Sequence, residues 1–178
     1  MLRRLLIVLF PGMAFSTWLI HSANAQTGAP LSVDILIQEV WGSPTLDLPP
    51  GNQRPDLYAV IQLANQRLVT PTLTISHIND RITPNWTLST LYTLDPLRQT
   101  HEIVADVRIF DADSDADDKV LLTALYFEPT LCQVRVGEQQ FAGQWENNRQ
   151  TCIVPVPQLT SERGAVVLTL SARWNTPE

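Results

Sequence analysis

The sequence predicts an all-β fold, an antiparallel sandwich or barrel. Apolar residues alternate with polar or mixed ones over short runs, Pro, Gly, Asn and Asp turns separate those runs at short intervals, and no stretch keeps helical periodicity beyond a turn or two. Leu31 to Gln38 alternates as a half-buried strand should, and in Leu57 to Leu63 the residues Leu57, Ala59, Ile61 and Leu63 share one face. Arg67 to Ile75 is threonine-rich and carries Pro71, which places it at an edge or a bulge. Trp86 to Leu94, His101 to Phe110, Lys119 to Phe127 and Leu131 to Val136 follow as further strands, with Cys152 to Val156 a weaker one. Gly164 to Trp174 closes the chain, with Val166, Leu168, Leu170 and Ala172 on one face.

The first 25 residues read as a signal peptide. Arg3 and Arg4 supply the positive start, an apolar stretch runs from Leu5 to Ile20, and Ala23-Asn24-Ala25 offers a small-x-small cleavage site. A retained membrane anchor is the alternative, and Pro11 and Gly12, which interrupt the apolar stretch, count against it. The expected organisation is this leader, a short linker over 26–31 and one sandwich domain over 32–176, in a chain that is secreted or periplasmic and has no transmembrane span once mature. Of the 12 basic residues, Arg3 and Arg4 belong to the leader, which leaves ten against 18 acidic ones, a net charge of −8. Lys119 is the only lysine. That balance argues against nucleic acid, which is bound by clustered cations, and against docking on anionic lipid without a metal ion. Cys132 and Cys152 are the only cysteines, and an exported chain permits a bridge between them; two separate buried thiols are the alternative.

The chemistry concentrates in one stretch, Phe110-Asp111-Ala112-Asp113-Ser114-Asp115-Ala116-Asp117-Asp118-Lys119, set between two strand-like runs. Residues two apart at a strand end point the same way, so Asp111 and Asp113 aim their carboxylates at one region. Converging carboxylates repel unless they protonate or bind a cation, and an all-oxygen set with irregular geometry suits calcium before magnesium. The plain alternative is a solvated turn, since Asp bonds its own backbone and favours loops. An EF-hand does not fit: counting from Asp111, Ala116 stands where glycine is needed and Leu122 where the bidentate glutamate belongs.

Three segments together resemble the C2 domain, the eight-stranded calcium- and phospholipid-binding sandwich of protein kinase C and synaptotagmin. Pro55-Asp56-Leu57-Tyr58-Ala59-Val60 is similar to the motif that opens that family's second strand, and Thr83-Pro84-Asn85-Trp86 to the turn before its fourth. Val107 to Asp113, followed by Asp117-Asp118, resembles the strand and third calcium loop. The resemblance implies an antiparallel eight-stranded Greek-key β-sandwich that binds Ca2+ through two loops at one end. It assigns Asp111, Asp113 and Asp118 to the third loop, Asp56 to the end of the first, and Asp47 to its earlier part. Asp115 and Asp117 have no counterpart. The sequence departs from the pattern in a first loop about three residues longer, a third loop one residue shorter, Leu57 in place of the usual proline, Leu121 in place of a common glycine, and no lysine-rich strand.

Other residues carry weaker signals. Trp86 reads as a core anchor, and Asn85-Trp86-Thr87, formally a glycosylation sequon, as part of a structural turn. Trp41, Leu46 and Leu48 are either apolar tips for a membrane interface or an ordinary packed loop, and Trp145 is a candidate partner surface. His77 and His101 are isolated, and neither a nucleophile elbow nor a phosphate-binding loop is present in the sequence. The expected function is therefore a calcium-binding module, not an enzyme, that docks to lipid headgroups on a membrane or to a partner protein through its loop aspartates. A calcium-independent interaction or structural module is the alternative, and a two-aspartate hydrolase the third class.

Overall fold

The computed structural model describes residues 30–42, 55–74, 81–94, 101–112 and 117–175. The leader, Asp47, Asp113, Leu46, Leu48 and His77 lie outside them. Twelve strands and no helix occur among the described residues: β1 (Pro30–Gly42), β2 (Asp56–Leu63), β3 (Gln66–Val69), β4 (Leu73–Thr74), β5 (Trp86–Thr93), β6 (Ile103–Asp111), β7 (Asp118–Glu128), β8 (Gln133–Val136), β9 (Gln139–Ala142), β10 (Gln144–Glu146), β11 (Thr151–Thr160) and β12 (Gly164–Trp174). They form two antiparallel sheets, ordered β10-β11-β12-β1-β5 and β3-β2-β6-β7-β8-β9, with β4 pairing β2 beyond β3.

Strict alternation builds the core between the sheets. In β1, Leu31, Val33, Ile35 and Ile37 are fully buried while Ser32, Asp34, Leu36 and Gln38 are not. A register shift between Ile37 and Glu39 then moves the pattern so that Val40 is the next to turn inward. Val166, Leu168 and Leu170 of the neighbouring β12 continue this apolar layer. The other sheet contributes Leu57, Ala59, Ile61 and Leu63 of β2 and Ile103, Ala105, Val107 and Ile109 of β6 to the same core. Trp86 is buried in it, as expected.

The strand count exceeds the expected eight, for local reasons. The expected strand from Arg67 is split into two short ones, because Pro71, which has no N–H to donate, falls in the gap between β3 and β4. Gln139–Ala142 and Gln144–Glu146 become β9 and β10, polar edge strands with no buried alternation to announce them. β11 is twice the length that Cys152 to Val156 suggests. Its Pro155 and Pro157 are tolerated because β10 pairs only as far as Ile153, leaving one side of β11 open beyond it.

Cys132 and Cys152 form a disulfide with Cα atoms 5.4 Å apart. Cys132 precedes β8 in one sheet and Cys152 lies on β11 in the other, so the bridge joins the sheets at the end away from Asp111. Gly143 makes room for it: a Cβ there would sit 2.8 Å from Cys132 Sγ and 2.4 Å from the Ile153 carbonyl oxygen. Closing a loop of 20 residues contributes about 3 kcal/mol in the chain-entropy model. Reduction, or Cys132→Ser/Cys152→Ser, is expected to lower the melting temperature by roughly 10 °C without unfolding the chain at room temperature. An unchanged melting temperature in a denaturation scan contradicts this role.

Candidate metal centre at the acidic end of the sandwich

β2 begins at Asp56, β6 ends at Asp111 and β7 begins at Asp118, and the antiparallel ladders bring these ends together. Leu57 pairs with Asp111, and Asp111 pairs in turn with Asp118. Asp111 occupies the inward face of β6, in line with Ile109 and Val107, and is only 2% exposed. Its Oδ1 accepts a hydrogen bond from the Asp56 backbone N–H at 2.6 Å, and the Ala112 N–H donates to the Asp56 carbonyl oxygen at 3.0 Å. A side chain thus continues the ladder where the strands part.

Asp56 also carries a carboxylate at the start of β2. Its Oδ1 is buried and has no hydrogen-bond partner among the described residues. A carboxylate oxygen held away from water without a donor is costly, and a bound cation or a proton relieves the cost. The donors are oxygens only, which fits a hard cation such as calcium. Of the residues expected to bind the ion, Asp56 and Asp111 are joined through the Asp56 backbone N–H.

Asp118 is placed differently. Its Oδ2 lies 3.0 Å from Nη1 of Arg163, on the turn between β11 and β12, and both side chains are about half exposed. Asp117 turns toward the outer face of the sheet and accepts a hydrogen bond from the Tyr58 hydroxyl at 2.5 Å, while the Tyr58 ring stacks on Phe110 with centroids 5.3 Å apart. No group of three carboxylates, histidines or cysteines converges among the described residues. Arg163 and Tyr58 carry no metal-ligand signal in the sequence, and only the strand register reveals their part here.

The tryptophans have structural partners. Arg81 stacks over Trp41 at 4.9 Å and pairs with Glu39 at 3.2 Å, beside the Val40–Ile82 bridge, so Trp41 is held against its own domain. Trp145 is half-buried against Trp174, ring centroids 5.4 Å apart, which commits to the fold the surface expected for a partner. Asn85 adopts a left-handed φ of 50°, a conformation that Asn tolerates better than most residues, which accounts for its place in the turn before β5. The His101 backbone N–H donates to Glu128 Oε2 at 3.0 Å.

No family model and no curated protein matches the sequence; the likenesses lie among solved structures. Human GIVD cytosolic phospholipase A2 superposes with a TM-score of 0.53 at 14% identity over 84% of this chain, which spans 17% of the phospholipase chain. A C2 domain protein from Ramazzottius varieornatus superposes with a TM-score of 0.51 at 15% identity, over 85% of this chain and 92% of that one. The fold of this chain is C2-like.

Burial first, and then the hydrogen bond and charge of Asp117, push the Tyr58 phenol up to about 12. A raised phenol favours the folded state below its ordinary value of about 10, and that contribution is lost as pH rises through about 12. Spectrophotometric titration is expected to show one tyrosine ionising near 12 that Tyr58→Phe removes and that Asp117→Asn brings part of the way down. A titration that neither variant alters contradicts the assignment.

Proposed function

We propose that this protein is a secreted or periplasmic C2-like module that binds Ca2+ at the acidic end of its sandwich. The ion would present open coordination positions to lipid headgroups on a membrane surface, or to a partner protein. The observation that carries this reading is the pairing of the buried Asp111 with Asp56, whose Oδ1 lacks a hydrogen-bond partner among the described residues. Asp111 and Asp56 would hold the ion, with Asp47, Asp113 and Asp118 as the further ligands that the family resemblance assigns. Calcium supplies charge neutralisation and vacant ligand positions. The protein's own residues would supply the first two ligands where β2 begins beside the end of β6.

The domain is proposed to follow the signal peptide of residues 1–25 and to occupy 32–176. Its eight-stranded Greek-key frame would consist of β5-β1-β12-β11 facing β3-β2-β6-β7, with β4, β8, β9 and β10 as additions. The disulfide agrees with an oxidising compartment. There calcium is abundant, and sites with a Kd of about 10⁻⁴–10⁻³ M are filled. Such a site suits a standing structural or adhesive role. We read the chain as a binding module rather than an enzyme, because its acidic residues gather at strand ends and loops.

A second reading is favoured by the contacts of Asp117 and Asp118. Both carboxylates already have protein partners, Tyr58 and Arg163, and a calcium-independent interaction module needs no more than that.

Thermal melting separates the two. Ligand at about 100 times its Kd adds about 2.7 kcal/mol, so millimolar calcium is expected to raise the melting temperature by several degrees over chelator. Asp111→Asn/Asp113→Asn is expected to abolish that rise. A wild-type protein that melts identically in both conditions contradicts the calcium reading and leaves the second one.

A further inference from the structure

We infer that Arg163 is a built-in competitor for the cation, setting the calcium affinity of the acidic end by holding Asp118. This rests on the calcium reading above and goes beyond it by assigning a regulatory residue that the aspartate motif does not contain.

The turn that carries Arg163 is fixed in place. The Ser161 hydroxyl donates to the Val120 carbonyl oxygen at 2.5 Å and accepts from the backbone N–H groups of Arg163 and Gly164, each at 3.1 Å. The Ser161 N–H donates to the Gly164 carbonyl oxygen at 2.8 Å and closes the turn. Gly164 is wedged between two strands: a Cβ there would lie 2.4 Å from Val120 Cγ1 and 2.5 Å from the Trp41 carbonyl oxygen. Val120 lies two residues beyond Asp118 on β7, so this staple sets Arg163 beside that carboxylate. The 3.0 Å ion pair follows from the docking of the turn, not from a chance meeting of two long side chains.

A guanidinium stays charged at every physiological pH. An ion that recruits Asp118 must take its carboxylate from Arg163 and then sit near a fixed positive charge. Both effects oppose a divalent cation. Removing the charge should therefore tighten calcium binding, by roughly three- to tenfold for a half-exposed pair, and more at low salt than at high.

The test is calorimetric titration of the purified protein with calcium chloride alone. Arg163→Gln is expected to lower the calcium Kd roughly three- to tenfold. Arg163→Lys, which keeps the charge, should stay near wild type. In an Asp118→Asn background the gain from Arg163→Gln should largely vanish, because the competitor then has nothing to hold. Calcium binding by wild type with no gain in Arg163→Gln overturns this inference and leaves the calcium site intact. An equal gain in both backgrounds assigns the effect to the general field of the molecule and overturns it too. If neither wild type nor Arg163→Gln takes up calcium, both this inference and the calcium reading fall; binding by Arg163→Gln alone supports both.

Discussion

The acidic end of this molecule is organised by a carboxylate on the wrong face of a strand. β6 sends every second residue into the core, through Ile103, Ala105, Val107 and Ile109, and the same alternation delivers Asp111. Period two leaves no choice: if Ile109 is buried, Asp111 points inward as well. A charge in that position needs compensation from hydrogen bonds or a counter-ion. The Asp56 N–H supplies one such bond, at the place where β2 and β6 part. The beginning of β2 and the end of β6 are thereby tied through one side chain.

That constraint sorts the other acidic residues. Asp56 is held by its backbone to Asp111 and Ala112. Asp117 and Asp118 belong to the far side of the loop, where Tyr58 and Arg163 take them up. The two halves of the acidic stretch therefore have different electrostatic fates. Asp117 and Asp118 are already compensated by side chains of the protein. At the opposite end the disulfide ties the sheets together, so the acidic end is free of any cross-link of its own among the described residues.

Much of this is legible from residue pattern. β1, β2, β6 and β12 declare themselves because each buries one face and exposes the other, and each observed bound falls within four residues of the expected one. β9 and β10 do not, since each buries only one aromatic in part, Phe141 and Trp145, and both strands are held by pairing with β8 and β11. The prolines of β11 hide its full length, because their tolerance depends on where β10 stops. In the candidate site, Asp56 and Asp111 follow from motif and alternation. Arg163 does not, because its contact with Asp118 is made by a turn distant in sequence and docked through Ser161 and Gly164. Local periodicity cannot encode such a long-range approach.

We propose that Asp56 and Asp111 are the fixed half of a calcium site. A crystal structure of the protein grown with calcium tests it most directly. An ion is expected there, bound by oxygens of both carboxylates at about 2.3–2.6 Å, with further protein or water oxygens completing roughly six to eight ligands. Asp111 still hydrogen-bonded to the Asp56 N–H, with ordered water or a protein donor on Asp56 Oδ1 and no ion at millimolar calcium, would contradict it.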